Sequence, residues 1–255
     1  MLGLKGRYYR TIPITRPGYI YENLELRESK TAFVAMHCWN IGCEDGPQID
    51  PNYWVGMGFP IAHREASRIM RNRIRPMMDA ARDSSMLVCH VESEGIRQNR
   101  ATPKRQGQPP SDAAKPPSWR EAIAWRSHGK HYATQSPLAR MDRAKIVAPL
   151  PGEPLVFTTD ELQACLTSKR VDNLIYCGFA TDMCILRAPG GIEEMASRGY
   201  RIYLARDATL GVECPDTFRK RVATRWAIRY FETHFGDTVA TDDFIKACQR
   251  SRAKA

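Results

Sequence analysis

The chain has 255 residues, of which 43% are hydrophobic, and a formal net charge of +10 at pH 7. This length suits one α/β domain with a large core. No apolar stretch is long enough to cross a membrane, and residues 1–10 lack the apolar region of a secretory signal, so we expect a cytoplasmic protein without membrane contact. The 8 cysteines are scattered without a C-x-x-C pair, which argues against a disulfide framework or a structural zinc.

Residues 1–30 predict an N-terminal arm rich in tyrosine, arginine and proline. Its later aromatic and apolar residues alternate with polar neighbours: Tyr19, Tyr21, Leu24 and Leu26. This period of two is typical of short strands. We expect a hairpin at the edge of a sheet or an arm that contacts a second subunit.

From residue 31 to residue 245, apolar runs alternate with amphipathic helical patterns. The runs predict strands over Thr31–His37, Met86–Val91, Lys145–Ala148, Leu174–Cys177 and Ile202–Ala205. The helical patterns cover Ile61–Arg82 with a kink at Pro76, Asp160–Thr167, a segment opened by Asp182 and interrupted at Pro189–Gly191, and Asp216–Phe235. This alternation predicts a single domain of three α/β/α layers around a mainly parallel sheet, followed by a tail over residues 246–255.

Residues 94–143 form an insertion that departs from this alternation. Its prolines, at positions 103 to 117, predict an extended or mobile loop from Glu94 through about Pro117. Ser118 is then expected to cap a short helix over Trp119–Trp125. Long loops in compact domains are usually functional or disordered. We interpret the insertion as a lid or an oligomer contact, with simple disorder as the alternative.

The insertion also interleaves basic and aromatic residues, as grooves that bind single-stranded nucleic acids do. No RNA- or DNA-binding motif accompanies them, so we do not expect a nucleic-acid partner. A positive field of this kind suits an acidic small molecule better.

The most informative segment is Leu174–Ile185. Its apolar run ends at Gly178, and Thr181 or Asp182 can cap a following helix, which places Cys184 in the first turn of that helix. Backbone N–H groups at such a position are expected to lower a cysteine pKa and can hold an oxyanion. A packed core thiol is the alternative, because most cysteines are buried hydrophobes.

The residues Gly178–Cys184 resemble the G-[VF]-A-T-D-x-C signature of the isochorismatase-like cysteine hydrolases, which include nicotinamidases and ureidoacrylate amidohydrolases. Further segments resemble the core of that superfamily in the same order: Thr31–Met36, Phe157–Leu162, Gly199–Ala208 and Gly236–Thr241. The resemblance covers about residues 31–245. It implies the isochorismatase-like, Rossmann-type fold and a homo-oligomer, either a dimer or a tetramer.

The resemblance also implies a catalytic trio of Asp, Lys and Cys, of which only Cys184 is retained. His37 stands at the position of the aspartate, and the stretch Ile146–Pro154 contains no lysine. Two hypotheses remain open. In the first, His37 replaces the aspartate and forms a Cys-His dyad with Cys184. In the second, the protein is a catalytically inactive binding or scaffold member of the same fold.

Under the first hypothesis the protein hydrolyses an amide or related C–N bond of a small-molecule substrate. Cys184 forms a thioester with the substrate, and His37 shuttles the proton. The resemblance implies a cis peptide bond between Phe179 and Ala180, with the oxyanion held in the region of Phe179, Ala180 and Thr181.

Trp39 and Asn40 follow His37 and are candidates for the pocket wall. The resemblance raises the question of metal, because nicotinamidases bind zinc through a D-x-H…H pattern. Asp45, Asp50 and His63 do not reproduce that spacing. We therefore expect neither a metal nor another cofactor.

Overall fold

The computed structural model describes residues 1–50, 59–101 and 118–253. The strands in these residues are β1 (Leu2–Arg10), β2 (Gly18–Leu26), β3 (Thr31–Met36), β4 (Leu87–Val91), β5 (Leu155–Val156), β6 (Asn173–Phe179), β7 (Arg201–Leu210) and β8 (Gly236–Val239). Together they form an eight-stranded sheet in the order β2-β1-β8-β7-β6-β3-β4-β5. The strands from β3 to β8 pair in parallel, and β1 pairs antiparallel with β2 and β8, so the predicted mainly parallel sheet is confirmed.

The helices in the described residues are α1 (Pro60–Ile69), α2 (Arg75–Asp83), α3 (Glu94–Ala101), α4 (Trp119–His128), α5 (Tyr132–Gln135), α6 (Thr159–Ser168), α7 (Cys184–Arg187), α8 (Ile192–Ser197), α9 (Val222–His234) and α10 (Thr241–Arg252). No helix among these residues is both long and apolar enough to cross a bilayer.

Two apolar cores cover the two faces of the sheet, because side chains of a strand alternate between its faces. Phe33 and Ala35 of β3 belong to a core that also contains residues of α1, α2 and α10. Val34 and Met36 belong to a second core with residues of α6, α8 and α9. The predicted three-layer α/β/α single domain is therefore confirmed.

The N-terminal arm forms a hairpin at the edge of this sheet, as predicted. Leu2 pairs with Leu26 at its open end, and both side chains are buried in the core shared with α10. Arg7 pairs with Thr238 of β8, which joins the hairpin to the parallel strands. Residues 246–252, the start of the predicted tail, continue α10.

The predicted strand over Lys145–Ala148 is wrong, because Lys145–Val147 forms a 3-10 turn. The edge strand lies later in the chain, at Leu155–Val156, and pairs with β4. Prolines at 149, 151 and 154 separate the two segments. Since proline has no N–H for a ladder, only the residues after Pro154 can extend the sheet.

The predicted helix over Asp216–Phe235 is correct only in its second part. A 3-10 turn occupies Phe218–Lys220, and Arg221 adopts a left-handed conformation before α9 begins. Phe231 is fully buried as expected, but Trp226 is 54% exposed. The reason is that Trp226 stacks on Tyr230, one turn later, on the outer face of the helix.

Two helix interruptions follow from proline. The helix predicted over Ile61–Arg82 is confirmed. The turn before Pro76 widens to a π-helix at Met70–Ile74, because proline has no N–H to continue the hydrogen bonds of an α-helix. The predicted break at Pro189–Gly191 is confirmed, because it separates α7 from α8.

The described parts of the insertion are helical. α3 occupies residues for which the sequence predicted an extended loop, whereas α4 begins as predicted, with the Ser118 side chain accepting from the Glu121 amide. Ile96 and Met141 form a small apolar cluster with Ile41, which lies just after β3. The prolines of the predicted loop, at 103, 109, 110, 116 and 117, lie outside the described residues.

Gly178 occupies a position of β6 where a side chain has no room. It has a φ of +114°, and a Cβ atom at this position would lie 1.9 Å from the carbonyl oxygen of Met36 on β3. Only glycine avoids both the strained backbone and the collision. The sequence therefore places glycine where β6 must pass β3 without a side chain between them.

We expect Gly178→Ala to lower the free energy of unfolding by at least ~3 kcal/mol, because the backbone of β3 cannot move away from the new methyl group. Gly199→Ala is the matched control, since Gly199 also has a positive φ, +90°, but open space around it. That control should cost only about 1 kcal/mol. Urea denaturation of both variants measures the difference, and equal losses would contradict the proposed collision.

Burial keeps three histidines of the fold uncharged. It lowers the pKa of His37 and of His63 to about 4 and that of His90 to about 3, from an ordinary value of 6.5. Between pH 6.5 and about 4.5 these histidines therefore bind protons in the unfolded chain but not in the folded chain, which lowers the stability of the fold. Burial of Glu92 acts in the opposite direction, because it raises the pKa of that carboxyl to about 7.

Burial also raises the pKa of Asp237 to about 6. Since three histidines oppose these two carboxyls, we expect the free energy of unfolding to fall as the pH decreases from 6.5 to 4.5. His63→Gln should reduce the slope by about one proton, or ~1.4 kcal/mol per pH unit at most. Urea denaturation at several pH values measures the slope. Gln at the exposed His128 is the control and should leave the slope unchanged; an unchanged slope in His63→Gln would refute the prediction.

Candidate active site

The carboxyl ends of β3, β4 and β6 meet at one edge of the sheet. Met36, the last residue of β3, pairs with Val91 on one side and with Gly178 on the other. The backbone N–H of His37 then donates to the carbonyl of Val91 at 2.8 Å. Ligands of open parallel sheets bind beyond this edge, so the residues that follow these three strands form the candidate site.

The turn after β6 has the conformation that the resemblance implied, because the Phe179–Ala180 peptide bond is cis. Thr181 is buried, its backbone N–H donates to the carbonyl of Leu210, and its hydroxyl lies 2.7 Å from that of Thr209. Thr181 thus joins the turn to the end of β7.

The predicted cap of the following helix is wrong. The residue before α7 is Met183, which makes no side-chain cap, and Asp182 instead accepts a hydrogen bond from the amide of Val212. α7 contains only four residues, Cys184–Arg187, so few peptide dipoles are aligned at its start.

Cys184 is the first residue of α7, and its thiol is half-buried. Burial raises its pKa, and the negative charges of Asp182 and Glu92 act in the same direction. Hydrogen bonds from the amides of Ala180 and Cys184 lower the pKa but do not reverse the shift. The expected lowering of this pKa is therefore wrong, and Cys184 is a neutral thiol at neutral pH.

His37 lies directly after β3, in a left-handed backbone conformation with a φ of +48°. Its ring is buried and stacks on Trp39, with 5.3 Å between the ring centroids and 22° between the planes. Burial and the nearby charge of Arg143 lower its pKa to about 4, so the imidazole is neutral at neutral pH. Its Nδ1 has no hydrogen-bond partner among the described residues.

Sequence reasoning missed the strongest electrostatic feature of this edge, which is an ion pair between Arg143 and Glu92. Nη1 of Arg143 lies 2.6 Å from Oε1 of Glu92, and both side chains are almost completely buried. Trp39 donates its indole N–H to the other carboxylate oxygen at 3.1 Å. The only sequence signal was an acidic residue directly after an apolar run, at Glu92; nothing in the sequence pairs it with a residue 51 positions away.

Asn40 uses its side chain to join two loops. Its amide nitrogen donates to the carbonyl of Asp45 at 3.0 Å, and its amide oxygen accepts from the backbone of Asp142 at 2.9 Å. Asn40 thereby holds the segment that contains Arg143 next to the segment that contains Trp39.

His90 does not join this site, although it precedes Glu92 by two residues. Its Nε2 lies 2.8 Å from Glu153, which is paired with Arg82 at 2.7 Å. Among the residues that the structure describes, no group of three or more His, Cys, Asp and Glu side chains could hold a metal ion.

Chemically, the edge offers a thiol, a neutral imidazole, backbone amides and a buried ion pair. The thiol can attack a carbonyl carbon once a base accepts its proton, and a neutral imidazole is such a base. Amide N–H groups beside the sulfur can stabilise the oxyanion that the attack creates.

The chain matches the isochorismatase domain family over residues 147–243. This region includes β6, the cis turn and Cys184, but it does not include His37, Glu92 or Arg143. None of the curated proteins compared with the chain matches it significantly in sequence.

Several solved structures share the fold. A cysteine hydrolase from Pseudomonas syringae pv. phaseolicola 1448A superposes with a TM-score of 0.57 at 16% identity, over 89% of this chain and 96% of the other. An isochorismatase family protein from Burkholderia thailandensis gives a TM-score of 0.51 at 16% identity, over 88% and 97% of the two chains. An isochorismatase-like hydrolase from Alkaliphilus metalliredigens gives 0.51 at 14% identity, over 87% and 99%.

The family match and the shared fold agree with the resemblance carried by residues Gly178–Cys184. Residues 147–243 thus match the isochorismatase domain, and the chain has the fold of these isochorismatase-like structures.

Proposed function

We propose that the protein is a cysteine-dependent hydrolase that cleaves an amide or related C–N bond of a small molecule, with Cys184 as nucleophile and His37 as proton shuttle. The observation that carries the proposal is the position of the Cys184 thiol. It is half-buried after the cis turn, and its sulfur accepts a hydrogen bond from the amide of Ala180, at the edge where ligands of parallel sheets bind.

The first half of the reaction forms a thioester. The Cys184 sulfur attacks the carbonyl carbon while its proton passes to the neutral His37 imidazole, and the amides of Ala180 and Cys184 hold the oxyanion. When the intermediate collapses, the C–N bond breaks and the imidazolium gives its proton to the leaving nitrogen. The amine leaves, and the acyl group stays on the sulfur.

The second half regenerates the enzyme. His37 takes a proton from water, whose oxygen attacks the thioester carbonyl, and the S–C bond then breaks. The carboxylic acid leaves, and the proton on His37 returns to the sulfur. Because the Cys184 pKa is raised and the His37 pKa is lowered, the resting site is a neutral thiol and a neutral imidazole, and the proton moves only as the attack occurs.

A catalytically inactive binding or scaffold protein is the second candidate. The raised pKa of the Cys184 thiol favours it, since a thiol without a pre-formed thiolate is a weak nucleophile. The candidates differ in one respect: only a hydrolase forms a covalent acyl-sulfur adduct at Cys184.

A panel of small primary amides and ureido compounds, incubated with the protein and analysed by intact-mass and peptide mass spectrometry, tests the proposal. We expect an acyl adduct on Cys184 and release of the amine or ammonia. Cys184→Ala should lower kcat/KM by at least ~1,000-fold, because the covalent route is lost. Cys214→Ala is the matched control, since Cys214 is also a half-buried thiol but lies outside the site, and it should retain full activity.

We expect His37→Gln to lower kcat by about 100-fold or more, because the thiol then loses its proton acceptor. Steady-state kinetics on the amide that gives the Cys184 adduct measures the loss. Retention of kcat in His37→Gln would remove the histidine from the mechanism. Absence of any Cys184 adduct across the panel, with the protein folded by circular dichroism, would support the binding protein instead.

The homo-oligomer and the cytoplasmic location stay predictions. Sedimentation velocity measures the oligomeric state, and we propose a dimer or a tetramer, as the resemblance implied.

A further inference from the structure

We propose that the buried Arg143–Glu92 ion pair is the positioning unit of this site, which fixes the His37 ring through Trp39 and sets the electric field at that ring. The inference rests on the proposed function for its catalytic meaning, since His37 is the proton shuttle there. Arg143 and Glu92 act through His37 and are positioning residues.

The first step is the isolation of the pair from water. The side chains of Arg143 and Glu92 are 1% and 0% exposed. Arg143 also donates hydrogen bonds to the carbonyls of Val147 at 2.9 Å and Ala35 at 3.4 Å. Its guanidinium therefore links the 3-10 turn to β3. A pair this deeply buried contributes little net stability compared with apolar residues, so stability alone does not explain its presence.

The second step is the link from the pair to the imidazole. Glu92 accepts the indole N–H of Trp39, and the backbone of Trp39 forms a bridge with that of Arg143. Trp39 therefore has a fixed ring plane, and the His37 ring stacks on it at 22°. The backbone N–H of Trp39 also donates to the carbonyl of His37 at 3.0 Å, which closes the turn between the two rings.

The third step is the charge. Among the described residues, the charged and titratable groups that interact with the network include Arg143, Glu92, Asp142, His90 and the thiols of Cys38, Cys177 and Cys184. Of these, Arg143 acts on the His37 ring, and its positive charge opposes protonation of the imidazole. Burial acts in the same direction and is the larger effect. The guanidinium thus helps to keep His37 in the form that can accept a proton.

The network also contains two buried polar atoms without a hydrogen-bond partner among the described residues. They are Nδ1 of His37 and Nη2 of Arg143. Buried polar atoms without partners are costly, and in native proteins they often mark functional positions. Here both belong to the same network, at the edge of the sheet that carries the proposed nucleophile.

The experiment is an NMR titration of histidine-labelled protein without any substrate. The His37 signal is assigned from its absence in His37→Gln, and its pKa is measured in the wild type, Arg143→Gln and Arg143→Lys. We expect Arg143→Gln to raise the His37 pKa by about one unit, because the positive charge is lost while burial remains. Arg143→Lys restores the charge and should return the pKa most of the way.

Arg82→Gln is the matched control, because Arg82 pairs with Glu153 beside another buried histidine, His90. It should leave the His37 titration unchanged. If Arg143→Gln does not fold, the double variant Glu92→Gln/Arg143→Gln removes both charges and leaves an acceptor for Trp39. A smaller upward shift is then expected, because the negative charge of Glu92 is lost together with the positive charge that acts on His37.

A His37 pKa that is the same in the wild type and in the glutamine variants would overturn the proposal, as would failure of Arg143→Lys to restore it. Trp39→Phe tests the mechanical link, because it keeps a stacking ring but loses the N–H donor to Glu92. We expect the His37 ring signals to broaden in Trp39→Phe; signals as sharp as those of the wild type would refute the link. Since no step needs turnover, a shift at His37 without an adduct at Cys184 would refute only the proposed hydrolase.

Discussion

The site depends on the parallel pairing of β3 with β4 and β6 at the level of Met36. This pairing places the residues after three strands at one edge, and Gly178 makes it possible because a side chain there would meet the carbonyl of Met36. Strands of 5 to 7 residues, buried on both faces, supply the rigidity. His37, Glu92 and Cys184 are far apart in the sequence, and this register alone brings their backbones to the same edge.

Burial then decides the charge state of the groups at that edge. It raises the pKa of the Cys184 thiol and lowers that of His37 to about 4, so neither group is ionised at neutral pH. The short helix α7 does not supply enough aligned dipoles to reverse the effect at the thiol. The arrangement therefore favours proton transfer that is coupled to the attack, and not a thiolate–imidazolium pair formed beforehand. The charge of Arg143 matters in this arrangement because it is fixed by the buried ion pair with Glu92.

Only one part of the candidate site lies in the region that matches the isochorismatase domain. The cis turn and Cys184 lie within residues 147–243, where the family match lies. Outside that range, the structure places a glutamate and an arginine at the same edge, from the end of β4 and from the segment before the 3-10 turn. A histidine stacked on a tryptophan, His37 on Trp39, follows β3 at this edge.

The sequence by itself determined the α/β class, most of the strands and the position of Cys184, because apolar runs, glycine and proline act locally on the backbone. The G-F-A-T-D-M-C segment also carried the cis turn, through the resemblance. Local patterns failed in two places: the edge strand lies after Pro154, where it pairs with β4, and Trp226 lies on the outer face of α9, where it stacks on Tyr230. Only the tertiary structure could pair Arg143 with Glu92 and bury the thiol enough to raise its pKa, because ion pairs and desolvation depend on distances between chain segments.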